Sequence, residues 1–228
     1  MSRLSLFFEN HRKKEKPKLI IGFFGYWVVL TYLGVISAIT GINFAFAGNI
    51  EAAIVCLMIA GFCDMFDGPV ARLKKRNDKE KSFGIQIDSL ADLIGFGALP
   101  VAIGYAMRGS SVSFVHTAAA ALYVLAALTR LAYFNVVEIE LNNRNEKRKY
   151  YEGMPVTLVA LIIPVVYSFC AFFDIPFSAI YSQMLVLISI AFILKVKTPK
   201  LRSRQLIFFI LIAIPIFTYL FWTIGNNI

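Results

Sequence analysis

Four aspartates in two successive apolar stretches are the residues most able to do chemistry here: Asp64 and Asp67 in one, Asp88 and Asp92 in the next. A carboxylate at the centre of a membrane costs roughly 2.5–3.5 kcal/mol even on the most lenient scale, so four of them need a compensating partner. On a helix turning about 100° per residue, Asp64, Asp67, Gly68 and Ala71 share one face, with Arg72 at its edge. Gly84, Asp88 and Asp92 recur at every fourth position and form a second stripe. If the two helices run antiparallel about a basic loop at 73–82, Asp67 and Asp88 lie roughly 10 Å from that loop, and Asp64 and Asp92 roughly 15 Å. The four carboxylates then converge at matched depths.

Ionised carboxylates held together repel one another, and a bound cation is the direct remedy. Hard divalent ions take oxygen ligands, and Mg²⁺ commonly shares its shell with substrate phosphates. Two ions balance four carboxylates, whereas a single ion leaves a negative pocket that rejects phosphate. The stripe holds no His or Cys, which favours Mg²⁺ or Mn²⁺ over zinc. Gly68, Ala71 and Gly84 leave space for a flat group or a backbone, and such residues also let membrane helices pack. Arg72 can meet phosphate oxygens or anchor a helix end. Pro69 removes one helical hydrogen bond beside them. Two other classes remain open on the acids alone. A membrane prenyltransferase pairs Asp-rich motifs with Mg²⁺ and diphosphate, and a cation transporter lines its path with acids. A transporter's path should reach the outer side, where the acid-bearing stretches offer only Glu51.

The elements that must hold these residues are legible in the composition. The chain is 58% apolar with only 16% charged residues, well below the quarter or so typical of soluble domains. Apolar stretches near the 20 residues needed to span a bilayer occur at 24–47, 50–72, 84–107, 112–136, 154–173, 178–194 and 205–224. The sixth is short, so the expectation is an all-α integral membrane protein, a bundle of six to seven transmembrane helices. All of the 23 Lys and Arg except Arg108 and Arg130 fall at 3–18, 72–81, 144–149 and 195–204. These places alternate with nearly uncharged turns, so the positive-inside rule makes the N-terminus cytoplasmic, with the acids opening to that side. Residues 1–23 form a basic cytoplasmic or interfacial segment, in which Leu4, Phe7 and Phe8 can share a face. Residues 24–228 form a single transmembrane catalytic domain. The net charge of +9 sits in short loops, which suits anionic lipid; nucleic acid would need a continuous basic surface. Cys56, Cys63 and Cys170 lie in apolar runs without metal-ligand spacing.

Taken together, Asp64-x-x-Asp67-Gly68-x-x-Ala71-Arg72 followed by Gly84-x-x-x-Asp88-x-x-x-Asp92 resembles the signature of the CDP-alcohol phosphotransferase family. Every defining residue is present in order. The eleven residues between Arg72 and Gly84 exceed the usual gap, which predicts a longer loop around an intact site. The resemblance implies a helical membrane enzyme, usually a homodimer, that displaces CMP from a CDP-linked lipid. It further implies that Asp64, Asp67 and Asp88 bind metal. Asp92 would act as general base and further ligand. Asp64, Gly68, Ala71, Arg72 and Gly84 would hold the CDP moiety, and Thr31 would line the nucleotide pocket.

Three further pieces resemble the phosphatidylserine synthase branch: residues 88–100, Arg130-Leu131-Ala132-Tyr133-Phe134-Asn135, and Glu152-Gly153-Met154-Pro155-Val156-Thr157. They extend the likeness over roughly residues 26–165 and imply CDP-diacylglycerol and L-serine as substrates. Glycerol phosphate, inositol phosphate or another amino alcohol are the alternative acceptors. Arg130 is a basic residue well inside a span and can bind a carboxylate or pair with an Asp. Asn135 and Thr157 can add hydrogen bonds. A single buried cation suits the carboxylate of serine better than a phosphate dianion, unless Arg144, Lys147, Arg148 and Lys149 fold back over the site.

Overall fold

A computed structural model describes residues 21–74, 76–109, 113–143, 150–199 and 203–226. Among them, seven helical rods run back and forth. A 3₁₀ turn at Tyr26–Val28 leads into α1 (Val29–Phe46), which is followed by α2 (Ile50–Arg72). α3 (Asp78–Asp92) passes through a π-helical turn, Leu93–Ala98, into α4 (Leu99–Arg108), making one continuous rod. α5 (Phe114–Asn143) is followed by strand β1 (Tyr150–Glu152), a 3₁₀ turn at Val156–Leu158 and α6 (Val159–Phe172). Then come α7 (Phe177–Ile193), strand β2 (Lys197–Pro199) and α8 (Ser203–Asn226). The strands pair antiparallel over three residues each and are the only strands among the described residues. The basic segment up to residue 20, and Arg144, Lys147, Arg148 and Lys149, lie outside the described residues.

The rods present apolar surface outward. Ile36, Phe62, Leu125, Phe169, Leu187 and Trp222 are all exposed, a pattern that water would punish and lipid accommodates. The rods Tyr26–Phe46, Asp78–Arg108 and Phe114–Leu141 are long and apolar enough to cross a membrane. Val156–Phe172, Phe177–Ile193 and Ala213–Ile224 are shorter apolar helices beside them. The chain is thus an all-α multi-pass membrane protein, as its composition predicts. α1 lies along α2 and α5 along α7. Buried alanines at 38, 53, 60, 126 and 127 let the backbones approach where lipid supplies no hydrophobic drive to associate.

Two features position the acids. The first corrects the expected loop at 73–82: α3 already begins at Asp78. The Asn77 side chain accepts from the Glu80 N–H at 2.8 Å, and Glu80 Oε2 accepts from the Asn77 N–H at 3.0 Å. This reciprocal cap satisfies two otherwise orphaned donors and starts the helix early. The residues beyond the usual gap are therefore a helical extension, and the connection shrinks to Leu73–Asn77.

The second feature is the π turn directly after Asp92. Pro100 has no N–H, so the carbonyl of Phe96 lacks its α-helical donor. The Tyr123 hydroxyl on α5 donates to that carbonyl, and the Tyr181 hydroxyl on α7 donates to the carbonyl of Pro100 at 2.8 Å. Both tyrosines are fully buried. Tyr123→Phe leaves the Phe96 carbonyl buried and unpaired, which costs about 1–3 kcal/mol. The expected result is a lower thermal midpoint in detergent; an unchanged midpoint would mean that another donor serves this carbonyl.

Candidate metal and substrate site

α2 carries Asp64 and Asp67 toward α3, which carries Asp88 and Asp92 toward α2. Asp64 meets Asp92, and Asp67 meets Asp88, each pair in side-chain contact. This is the pairing that equal depth on antiparallel helices predicts. Carboxylate oxygens of Asp64, Asp88 and Asp92 all lie within 4.8 Å of one another. Asp67 stands slightly apart: its Oδ2 accepts from Thr31 Oγ1 of α1 at 3.1 Å, and both residues are buried. Oxygen-only donors, gathered this closely and all bearing like charge, fit a hard divalent cation. Among the described residues the arrangement therefore suits the metal class expected from the sequence.

The four carboxylates form part of the wall of a cavity of about 750 Å³. Arg130 and Thr157 also face it, and Phe62, Phe134, Leu161 and Phe217 supply apolar surface. That volume is in the range of small-molecule sites. A second pocket of about 20 Å³ also touches the four acids and reaches Thr31 and Gly34 of α1.

Arg130 is buried, and its Nε donates to the carbonyl of Met154 at 3.3 Å. The segment bearing Met154 is itself clamped. Gly153 has φ +77°, and its N–H donates to the carbonyl of Val196 at 2.8 Å. A Cβ there would stand 3.0 Å from the Leu194 carbonyl oxygen, so this turn requires glycine. The clamp fixes the chain just before Thr157, on the cavity rim.

Other candidates are placed differently. Asn135 does not line the cavity; its Oδ1 accepts from Ser89 Oγ at 2.7 Å, and its Nδ2 donates to Gln86 Oε1 at 3.4 Å. It ties α5 to α3 and holds Ser89, which does line the cavity and falls off the fourfold stripe. Arg72 ends α2 and is exposed. Gly68 faces open space, while Ala71 and Gly84 face Trp27. His116 is buried far from the acids in sequence and pairs through Nδ1 with Ser182 Oγ at 2.8 Å, linking α5 to α7.

Comparison with known proteins adds to this geometry. Residues 28–224 match the family model described as CDP-alcohol phosphatidyltransferase. A Saccharomyces cerevisiae protein named CDP-diacylglycerol–serine O-phosphatidyltransferase is 34% identical over 142 residues, covering 60% of this chain and 50% of the relative. A Mycobacterium leprae protein of the same name is 33% identical over 134 residues, covering 59% of this chain and 43% of the relative. An archaetidylserine synthase from Methanothermobacter thermautotrophicus is 29% identical over 150 residues, covering 66% of this chain and 60% of the relative. The chain spans about half the length of the first two relatives.

Proposed function

The chain belongs to the CDP-alcohol phosphatidyltransferase family, and from that premise we propose that it transfers the phosphatidyl group of CDP-diacylglycerol to the hydroxyl of L-serine, giving phosphatidylserine and CMP. The observation that carries this reading is the meeting of four carboxylates, one buried arginine and a largely apolar wall around one cavity. A prenyltransferase or a cation transporter would have no need of the Gly68, Ala71, Arg72 and Gly84 constellation. The names of the relatives above share serine as acceptor, although one carries a different lipid.

Asp64, Asp67, Asp88 and Asp92 are the ligand set for two ions of Mg²⁺ or Mn²⁺. Bound there, the metal supplies charge neutralisation of the diphosphate and of the departing CMP. Thr31 holds Asp67 in place, and Gly68, Ala71, Arg72 and Gly84 receive the CDP group. Asp92 takes the proton from the serine hydroxyl as that oxygen attacks the phosphorus bearing diacylglycerol. The new P–O bond forms as the bond from that phosphorus to the CMP oxygen breaks. Arg130 receives the serine carboxylate, with Thr157 beside it and Asn135 acting through Ser89. The apolar wall, including Phe62 and Phe217, takes the lipid side.

Arg72, Lys74, Arg76, Lys79 and Lys81 gather at the α2–α3 end of the bundle, and this supports the reading, by the positive-inside rule, that the acids face the cytoplasm of a cell membrane. The working form is a homodimer, in keeping with the family.

Arg130→Ala removes a charge-assisted contact worth about 1.5–3 kcal/mol, so the apparent KM for serine is expected to rise about 10- to 100-fold. The KM for CDP-diacylglycerol should move far less. Equal effects on both substrates would assign Arg130 to the shared scaffold. The defining assay is CMP release by purified protein with CDP-diacylglycerol, Mg²⁺ or Mn²⁺ and a panel of alcohols. Faster turnover with glycerol phosphate or inositol phosphate than with serine would overturn the acceptor and leave the transferase class intact.

A further inference from the structure

Trp27 occupies the space between two of the small residues read above as the CDP cradle. Its indole is only 2% exposed and clusters with Val28 and Ala71. A Cβ built on Gly84 would stand 3.4 Å from Trp27 Cζ3 and 2.9 Å from Arg76 Nη1. The Arg76 guanidinium carbon lies 5.3 Å from the indole centroid, and Lys74 Nζ lies 5.8 Å from it. Phe83 packs edge-on at 6.4 Å. These contacts hold the ring by cation–π attraction and packing. The Trp27 Nε1–H, by contrast, is buried without an acceptor, where an indole N–H ordinarily finds one.

The ring is thus held by its faces and edges while its polar handle goes unmet. A flat heterocycle bearing a diphosphate suits the same place, since it needs small residues beneath it and a cation beside it. Both cations engage the ring, but Lys74 is already paired with Glu80 at 3.0 Å, which leaves Arg76 as the one available to a diphosphate. One volume cannot hold both groups.

We propose that the Trp27 indole and the nucleotide of CDP-diacylglycerol compete for the Ala71–Gly84 cradle, so that binding expels the indole and frees Arg76 for the diphosphate. This rests on the cradle being the CDP site, as read under the proposed function. Expulsion also lets Nε1 reach an acceptor. A ligand that must displace a resident group binds with an affinity reduced by the fraction of time the group is in place.

The chain has two tryptophans, and Trp222 is 66% exposed, so Trp222→Phe leaves Trp27 as the sole tryptophan, excited selectively over tyrosine. The full-length variant in detergent is titrated with CDP in Mg²⁺, while calorimetry follows binding in parallel. The expected result is calorimetric binding with a red shift of emission and a rise in acrylamide quenching. Binding with unmoved emission overturns the displacement and leaves the CDP site standing. Emission dimmed by CDP without added acrylamide access means that the base stacks on a seated indole, and it too overturns the displacement. Absence of calorimetric binding overturns the CDP reading together with the displacement. Trp27→Phe keeps an aromatic filler but shrinks the competitor, so CDP should bind about fivefold tighter. Equal or weaker binding by the folded Trp27→Phe protein also overturns the displacement.

Discussion

Asp64→Asn, Asp67→Asn and Asp88→Asn are each expected to lower CMP release by at least about 10³-fold while the protein still purifies as a folded species. The rate estimate follows from the several kcal/mol of transition-state stabilisation that a bound divalent ion supplies, at 1.36 kcal/mol per tenfold. Folding should survive because Asn keeps the shape of Asp and removes one of four clustered like charges. Asp67 is the most demanding of the three, since its Oδ2 also takes the Thr31 hydroxyl at 3.1 Å. An Asn there can still accept that hydrogen bond through its amide oxygen. Gel filtration and a thermal midpoint separate loss of chemistry from loss of structure. Near-normal turnover in any one variant would remove that residue from the essential ligand set.

Asp92→Asn is expected to behave differently. Under the proposed role of Asp92 as the base for the serine proton, it would contribute about 10²–10⁴-fold to the chemical step. Its replacement should therefore depress single-turnover rate far more than it weakens CDP-diacylglycerol binding. Asp92 also lies within 4.8 Å of the Asp64 and Asp88 oxygens, so some loss of metal affinity accompanies the change. Saturating metal in the assay isolates the proton-transfer effect. A fall in rate matched by an equal fall in lipid affinity would make Asp92 a ligand alone.

The acids were readable because a carboxylate in an apolar run is conspicuous and helical period fixes its face. The contacts of Asp64 with Asp92 and of Asp67 with Asp88 follow from counting residues back from one turn. The start of α3 was also written in the chain, as Asn77-Asp78-Lys79-Glu80. That local cap was hidden by the polarity of the segment, which reads as loop when judged by hydropathy. The π turn left a fainter trace. Pro100 announces a missing N–H, but only a donor from a distant helix, Tyr123, decides how the freed carbonyl is served. The contact of Asn135 was hidden for a related reason: its partner Ser89 lies 46 positions away, and no spacing rule links them. The same holds for Trp27 and Gly84, which packing brings together and periodicity does not.

The rod Asp78–Arg108 has 31 residues, and at 1.5 Å each it measures about 46 Å against a hydrocarbon layer of about 30 Å. Even with its first polar turns outside, such a rod must tilt or bend to match the surrounding lipid. The turn at Leu93–Ala98 is its compliant joint, because regular α-helical pairing is already interrupted there and the loose carbonyl is tethered to a neighbouring helix. The Leu99–Arg108 arm is the anchored one: Leu99, Pro100, Ala102, Ile103 and Gly104 are buried, and Tyr181 holds the carbonyl of Pro100, whereas no residue of Asp78–Asp92 is buried. A lipid layer that bends the rod at this turn would therefore move the Asp78–Asp92 arm, and with it Asp88 and Asp92 against Asp64 and Asp67.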